Sequence, residues 1–245
     1  MKTAKFPQIV KRKIGALNLV DLRGDLVGPW AVRLQEEISL IVKSDLTNAL
    51  ILNLRPVETI DSLGVKAVVE NLASRRRSGI IRGSDHVMKM IKLYSKQRKV
   101  SVISGEDELV RLFGEDMAKN AGVDFSEKRL FRRIKTALSL LFSCQDKIGN
   151  ELQFRAIVTN LSEAGLFAEY IDLDDIPRSQ SIINPYELSL LKLQIKMPDG
   201  ALIEAEGKAV HVRSDGEQVG IGIEFYGITE EEKKRIKQLL SEFES

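Results

Sequence analysis

The 245-residue chain sets 37 Lys and Arg against 35 Asp and Glu, a net charge of only +2, with 29% charged and 43% hydrophobic residues. That balance describes a globular protein long enough for two ordinary domains. It excludes a bulk basic field that would recruit nucleic acid or a membrane surface, so any anion binding has to be local.

The single cysteine, Cys144, excludes an internal disulfide and a cysteine-based zinc knuckle. No stretch approaches the roughly 20 apolar residues of a membrane span. The lead 1–13 is basic with no apolar core behind it, which does not read as a secretory signal. A cytoplasmic location is expected.

Residues 16–22 form an apolar run suited to a strand, and Arg23-Gly24-Asp25 turns out of it. Pro29 stands near a helix start, after which Trp30, Leu34, Ile38 and Ile41 recur at helical spacing and face a core. Residues 48–54 are almost continuously apolar and read as a strand buried on both faces. The loop Thr59-Ile60-Asp61-Ser62-Leu63-Gly64 then leads into a helix carrying Val65, Val68, Val69 and Leu72.

The alternation repeats. A short strand over 79–82 precedes a helix that Ser84 caps and that carries Val87, Met90, Ile91 and Tyr94. A strand over 99–103 and a helix over 106–113 follow. Strands alternating with helices argue for an α/β layer, spanning residues 1–114. The polar stretch 115–127 belongs to neither core and reads as a linker.

The second half reads as strands. Residues 137–142 begin a sheet, 151–158 pair with them, 160–165 turn, and 166–170 resume. A long polar connection over 172–186 contains Pro177 and Pro185. Pro198-Asp199-Gly200 then joins a strand over 188–197 to its partner over 201–213. Gly220 and Gly222 fall in the closing strand, where a barrel bends or a ligand comes close. Thr229 and Glu232 form a capping box, and Ile236, Leu239, Leu240 and Phe243 line one face of a final helix.

Two pieces of this half carry chemistry. Lys128, Arg129, Arg132 and Arg133 bring several cationic donors together just before the first strand, and Asn160, Ser162 and Gly165 lie one hairpin later. A guanidinium fork grips phosphate in two-pronged fashion or stacks on a planar base. An amide and a hydroxyl complete the hydrogen bonding of a nucleotide, and glycine permits close approach. The pattern suits a doubly charged nucleotide.

Arg129-x-x-x-Arg133 followed by Asn160-x-Ser162-x-x-Gly165 resembles the signature of the PilZ family, with the late strand Val219–Phe225 and the acidic-starting helix included. The resemblance implies a six-stranded barrel that binds cyclic di-GMP. In it Arg129 and Arg133 hold phosphates and guanines, Asn160 and Ser162 hold a guanine, and Lys128 and Arg132 add charge.

The N-terminal order, with Asp61-Ser62-x-Gly64 opening a helix after a buried strand, resembles the STAS domain of anti-sigma factor antagonists over residues 10–116. Leu22-Arg23-Gly24-Asp25-Leu26 looks like that family's Gly-Glu-Leu strand end. Val27 stands where an acidic residue is usual, and Leu63 where a second serine is common. In phosphorylated members the acceptor is the serine after the aspartate, here Ser62. The residue itself reads two ways, as a helix cap or as an acceptor whose phosphate reverses local charge while helix amides welcome it.

The basic run Arg75-Arg76-Arg77 and the cations after it lack an aromatic platform and read as a solvated face or an acidic partner's dock rather than a nucleic-acid face. Neither His86 nor His211 has a second ligand at metal spacing, and no phosphate-cradling glycine loop with Lys-Ser/Thr is present.

The expectation is a non-enzymatic adaptor of α/β plus all-β class. A STAS-like sheet covered by helices occupies 1–114, with a linker over 115–127. A six-stranded PilZ-like barrel with a C-terminal helix occupies 128–245. Cyclic di-GMP at the barrel would control engagement of a signalling protein such as a serine kinase, phosphatase or anti-sigma factor. The alternative is a switch worked by phosphorylation of Ser62, with the barrel as a docking module.

Overall fold

The first strand lies inside the basic lead. The computed structural model describes residues 8–44, 49–73, 77–94, 100–118, 133–145, 149–171, 190–213 and 219–242. In it β1 (Gln8–Ile14) lies beside β2 (Leu17–Leu26). Four of the seven residues of β1 are charged or amide-bearing, which conceals a strand from hydropathy. Arg12 is the reason, being 1% exposed and paired with the equally buried Asp21. Its Nε donates to Asp21 Oδ2 at 2.5 Å and its terminal nitrogen to Oδ1 at 3.0 Å, while Asn53 Nδ2 donates to Oδ1 at 2.8 Å. A buried ion pair survives only when its hydrogen bonding is this complete.

The rest of this unit alternates as expected. Helix α1 (Pro29–Ser44) is followed by β3 (Ala49–Asn53), β4 (Val57–Ile60), α2 (Ser62–Ala73), β5 (Arg77–Ile81), α3 (Asp85–Tyr94) and β6 (Ser101–Ile103). The sheet order is β1-β2-β3-β5-β6, with β4 pairing the far end of β2. The pairings β2–β3, β3–β5 and β5–β6 are parallel. Every residue of β3 is buried, as its unbroken apolar run requires. Leu34 and Ile38 of α1 meet Val65, Val68 and Leu72 of α2 and Val87 and Ile91 of α3 in one core with β2, β3 and β5.

Two details differ from the sequence reading. Trp30 sits at the surface, 36% exposed, and Ala31 takes the inward place one residue later. Strand β4 falls where a loop was expected, because Val57 and Ile60 are its only inward residues and Glu58 and Thr59 face out.

Compactness divides the chain into Met1–Lys13 with Leu17–Gly105, and Ile14–Ala16 with Glu106–Ser245. The helix expected to end the first domain near Gly114 is α4 (Glu106–Ala118), and it belongs to the second unit. It lies over β7 (Arg133–Gln145) and β8 (Glu151–Ser162), with Gly114 against Ala137, and its Leu109, Phe113 and Met117 are buried. Lys196 Nζ reaches Asp107 at 2.6 Å, and with Ser139 it holds that carboxyl below the usual range. The start of the expected linker, 115–118, is helical; its remainder, 119–127, lies outside the described residues.

The barrel continues through β9 (Gly165–Glu169), β10 (Leu191–Lys196), β11 (Leu202–Arg213) and β12 (Gly220–Gly227), closed in the order β10-β11-β12-β9-β8-β7 with antiparallel pairing throughout. The β10–β11 turn uses Gly200 at φ 87°, with Ala201 N–H donating to Asp199 Oδ1 at 2.9 Å. Inside, Phe142 stacks on Phe154 with centroids 5.1 Å apart. Burial beside Cys144 raises the Tyr170 hydroxyl well above the ordinary tyrosine range.

Helix α5 (Glu230–Glu242) starts with the expected box. Glu232 N–H donates to Thr229 Oγ1 at 3.2 Å, and Thr229 N–H returns to Glu232 Oε2 at 3.1 Å. Ile236, Leu239 and Leu240 close onto the barrel core. Phe243 and the whole connection over 172–186 lie outside the described residues.

Candidate functional site

Strand register builds the site. Directly paired residues of antiparallel strands share a face, and in this barrel one rung runs Arg133, Ser162, Gly165, Glu224, Lys208 across β7, β8, β9, β12 and β11. A second outer rung, two residues along most strands, runs Lys135, Asn160, Phe167, Gly222, His211. Between them the inward rung Ile134, Leu161, Leu166, Ile223, Ala209 is wholly buried. The two halves of the sequence motif thus meet on one wall of the barrel, carried by a hydrophobic rung that fixes their spacing.

Register shifts border this wall, at Lys135/Leu138 in β7, Val158/Asn160 in β8 and Ala209/His211 in β11. A bulge re-aims the side chains beyond it. In β11 the buried residues are Ile203, Ala205, Gly207 and Ala209; the extra residue Val210 breaks that parity and turns His211 out.

A cavity of about 230 Å³ opens here. Arg133, Asn160, Ser162, Gly165, Phe167, His211 and Glu224 are among its lining residues. Gly165 allows the strands to meet, since a Cβ there would overlap the Ile223 carbonyl oxygen. Ser162 Oγ donates to the Gly165 carbonyl at 3.0 Å and pins the turn, leaving its lone pairs for a visiting donor. Among the described residues, no hydrogen bond or ion pair engages the side chains of Arg133, Asn160, Glu224 or His211. A guanidinium, an amide, a carboxylate and an imidazole therefore converge on one opening with their polar atoms available.

Of the expected site residues, the structure brings together Arg133, Asn160, Ser162 and Gly165. The turn is shorter than the 160–165 stretch read from sequence: Asn160 and Ser162 belong to β8, and only Glu163 and Ala164 turn. Lys128, Arg129 and Arg132 lie outside the described residues. Phe167, His211 and Glu224 were not among the expected site residues. The spaced glycines Gly220 and Gly222 were the legible trace of them, and the Val210 bulge had none.

The other candidate is the start of α2. Asp61, not Ser62, caps this helix: its Oδ1 accepts from Gly64 N–H at 2.9 Å and its Oδ2 from Gly28 N–H at 2.7 Å. Burial pushes this carboxyl up, but the amides of Gly28, Gly64 and Leu63 outweigh it and hold it below the usual range. Gly64 is required because a Cβ there would overlap the Leu26 carbonyl oxygen. Ser62 is displaced to the first helical turn, where it is exposed.

Fold and site together define a small closed barrel with a polar-lined cavity on the outside of the sheet. Residues 127–242 match the family model described as the PilZ domain, and this segment of the chain is a PilZ domain. No curated protein matches. Among solved structures, the chain is similar to the Bacillus subtilis inhibitor of motility MotI/DgrA at 17% identity and TM-score 0.38, covering 48% of this chain and 51% of that one. It spans about half the length of that protein. The PilZ domain with c-di-GMP of YcgR from Escherichia coli is matched at 13% identity and TM-score 0.33, over 48% of this chain and 92% of that chain. The N-terminal region is similar to an anti-sigma factor antagonist from Mycobacterium paratuberculosis at 18% identity and TM-score 0.38, over 43% of this chain and 93% of that one.

Among the described residues, no helix is long and apolar enough to cross a membrane, and no three His, Cys, Asp or Glu side chains group as a metal site.

Proposed function

We propose that the barrel is a cyclic di-GMP receptor and that the ligand governs how the N-terminal domain engages a signalling protein. The observation that carries this reading is the meeting of Arg133, Asn160, Ser162 and Gly165 at one cavity with their recognition groups turned to it. Arg133 suits a phosphate, by charge and by its two-pronged fork. Asn160 and Glu224 offer acceptors to the N–H donors on a guanine edge. Arg129, with Lys128 and Arg132, supplies the second guanidinium and further charge from the segment just before β7. That segment follows α4, and α4 follows the N-terminal unit directly at Gly105, so closing the segment over a ligand would act on the stretch of chain that leads back to the N-terminal domain. In this reading the protein performs no catalysis and acts as a cytoplasmic adaptor.

Calorimetry tests it. The wild-type chain binds cyclic di-GMP with measurable heat, and Arg129→Ala with Arg133→Ala abolishes it. No heat with the wild type, or equal heat with the variant, rejects the receptor role. Capture of partners by the full chain with and without ligand tests the coupling.

The exposure of Ser62 supports a second reading, in which its phosphate switches partner binding. Asp61 already occupies the helix amides, so a phosphate on Ser62 would project outward as surface charge beside the exposed Leu63. In that case Ser62→Asp abolishes partner capture while cyclic di-GMP changes nothing.

A further inference from the structure

The outer rung contains a feature that motif residues do not explain. Phe167 and His211 face each other across Gly222, with ring planes 9° apart and centroids 5.6 Å apart. Three independent arrangements produce this pair. The Val210 bulge turns His211 outward. Gly222 leaves the space that the imidazole fills, since a Cβ there would overlap the ring. Gly220 does the same for Phe167, whose Cζ would lie 2.8 Å from a Cβ at that position. Two glycines and a bulge in adjacent strands cost backbone entropy and ladder hydrogen bonds, yet the pair they create contributes nothing to the barrel interior, because it lies on the outer wall.

Both rings line the cavity beside Asn160. His211 is exposed, and among the described residues its ring nitrogens have no hydrogen-bond partner. An exposed aromatic surface next to edge-reading polar groups is what a planar heterocycle needs. The amide reads the rim of the base while the ring takes its face, as single-stranded nucleic acids are held on aromatic platforms.

We propose that the Phe167–His211 pair is a base-stacking platform, and that one purine of the bound dinucleotide lies on the imidazole while its edge meets Asn160. This rests on the cyclic di-GMP reading above and extends it to residues outside the Arg-x-x-x-Arg and Asn-x-Ser-x-x-Gly pattern. Phe167, beside Asn160 in register, and His211, over Gly222, form the platform together. Gly222 is a positioning residue, because any side chain there displaces the imidazole.

The test titrates the full-length chain with cyclic di-GMP, following affinity by calorimetry and the guanine H8 protons by NMR. Stacking on a ring shifts H8 upfield, a change that a merely structural role would not produce. His211→Ala is expected to weaken binding by about 5- to 150-fold, the range for losing one base–aromatic stack, and to remove the upfield shift. His211→Phe keeps the ring and is expected to retain both. Gly222→Ala, which retains the histidine but displaces its ring, is expected to behave like His211→Ala. Wild-type binding with unchanged affinity and an unchanged H8 shift in His211→Ala overturns the platform while leaving the receptor reading intact. Failure of the wild-type chain to bind cyclic di-GMP removes the receptor reading and the platform with it.

Discussion

The polar corner at the start of α2 and the polar wall of the barrel are made from similar residues and reach opposite states. At α2 the Asp61 carboxylate is filled by the amides of Gly28 and Gly64, and deeper in the same unit Arg12, Asp21 and Asn53 bind one another. On the barrel wall Arg133, Asn160, Glu224 and His211 share a cavity with no such engagement among the described residues. The difference separates two uses of polarity. Groups that satisfy each other fix a fold, whereas groups aimed at a common opening await something else. Leaving recognition groups exposed costs little in water, so a binding wall can be assembled without loss of stability.

That contrast can be broken first at its most buried member. Asp21→Ala leaves the Arg12 guanidinium buried without its carboxylate, and the expected loss is about 3 to 5 kcal/mol, measured by urea unfolding of the N-terminal unit. A loss under about 1 kcal/mol would mean that the pair relaxes to solvent.

Arg133→Ala should do the reverse. Hydrogen bonds to a charged group are worth about 1.5 to 3 kcal/mol, so affinity for cyclic di-GMP falls at least about 10-fold while stability stays within about 0.5 kcal/mol of wild type. Calorimetry and melting on the same preparation separate the two effects.

Much of this architecture is readable from the residues alone, and the failures have physical causes. The buried run 48–54, the Thr229–Glu232 box and the Pro198-Asp199-Gly200 turn are local signals, and the structure places each within a residue or two of expectation. Strand β1 was hidden because its inward residue is Arg12, a charge tolerated only through a partner nine positions away. An apolar face says that helix α4 packs and not on what, so its grouping with the second unit by compactness had no signal in the sequence. The motif residues were legible by spacing. Their neighbours Phe167, Glu224 and His211 were not, since they join the site through cross-strand register and a bulge, of which only the spaced Gly220 and Gly222 left a trace in sequence order.

Smaller effects sharpen the comparison at α2. Asp61→Ala removes the cap and should cost on the order of 1 kcal/mol. Because the folded carboxyl is held below the ordinary carboxylate value, its contribution is complete above that value and fades as pH falls through the folded pKa. Unfolding midpoints between pH 6 and pH 3 should therefore decline more steeply for wild type than for Asp61→Asn. Ser62→Ala, at an exposed first-turn position beside a cap that is already filled, should change stability by less than about 0.5 kcal/mol. A full cap-sized loss would return the capping role to Ser62.

The most direct measurement is an NMR titration of the full-length chain with cyclic di-GMP, observing the Asn160 side-chain amide, the Arg133 Nε–H and the backbone amides of Gly165 and Gly222. Saturable shifts in all four reporters, absent when Arg133 is replaced by alanine, are the expected result. Saturable binding that leaves these four unmoved, or no binding at all, would contradict the assignment of this wall as the receptor site.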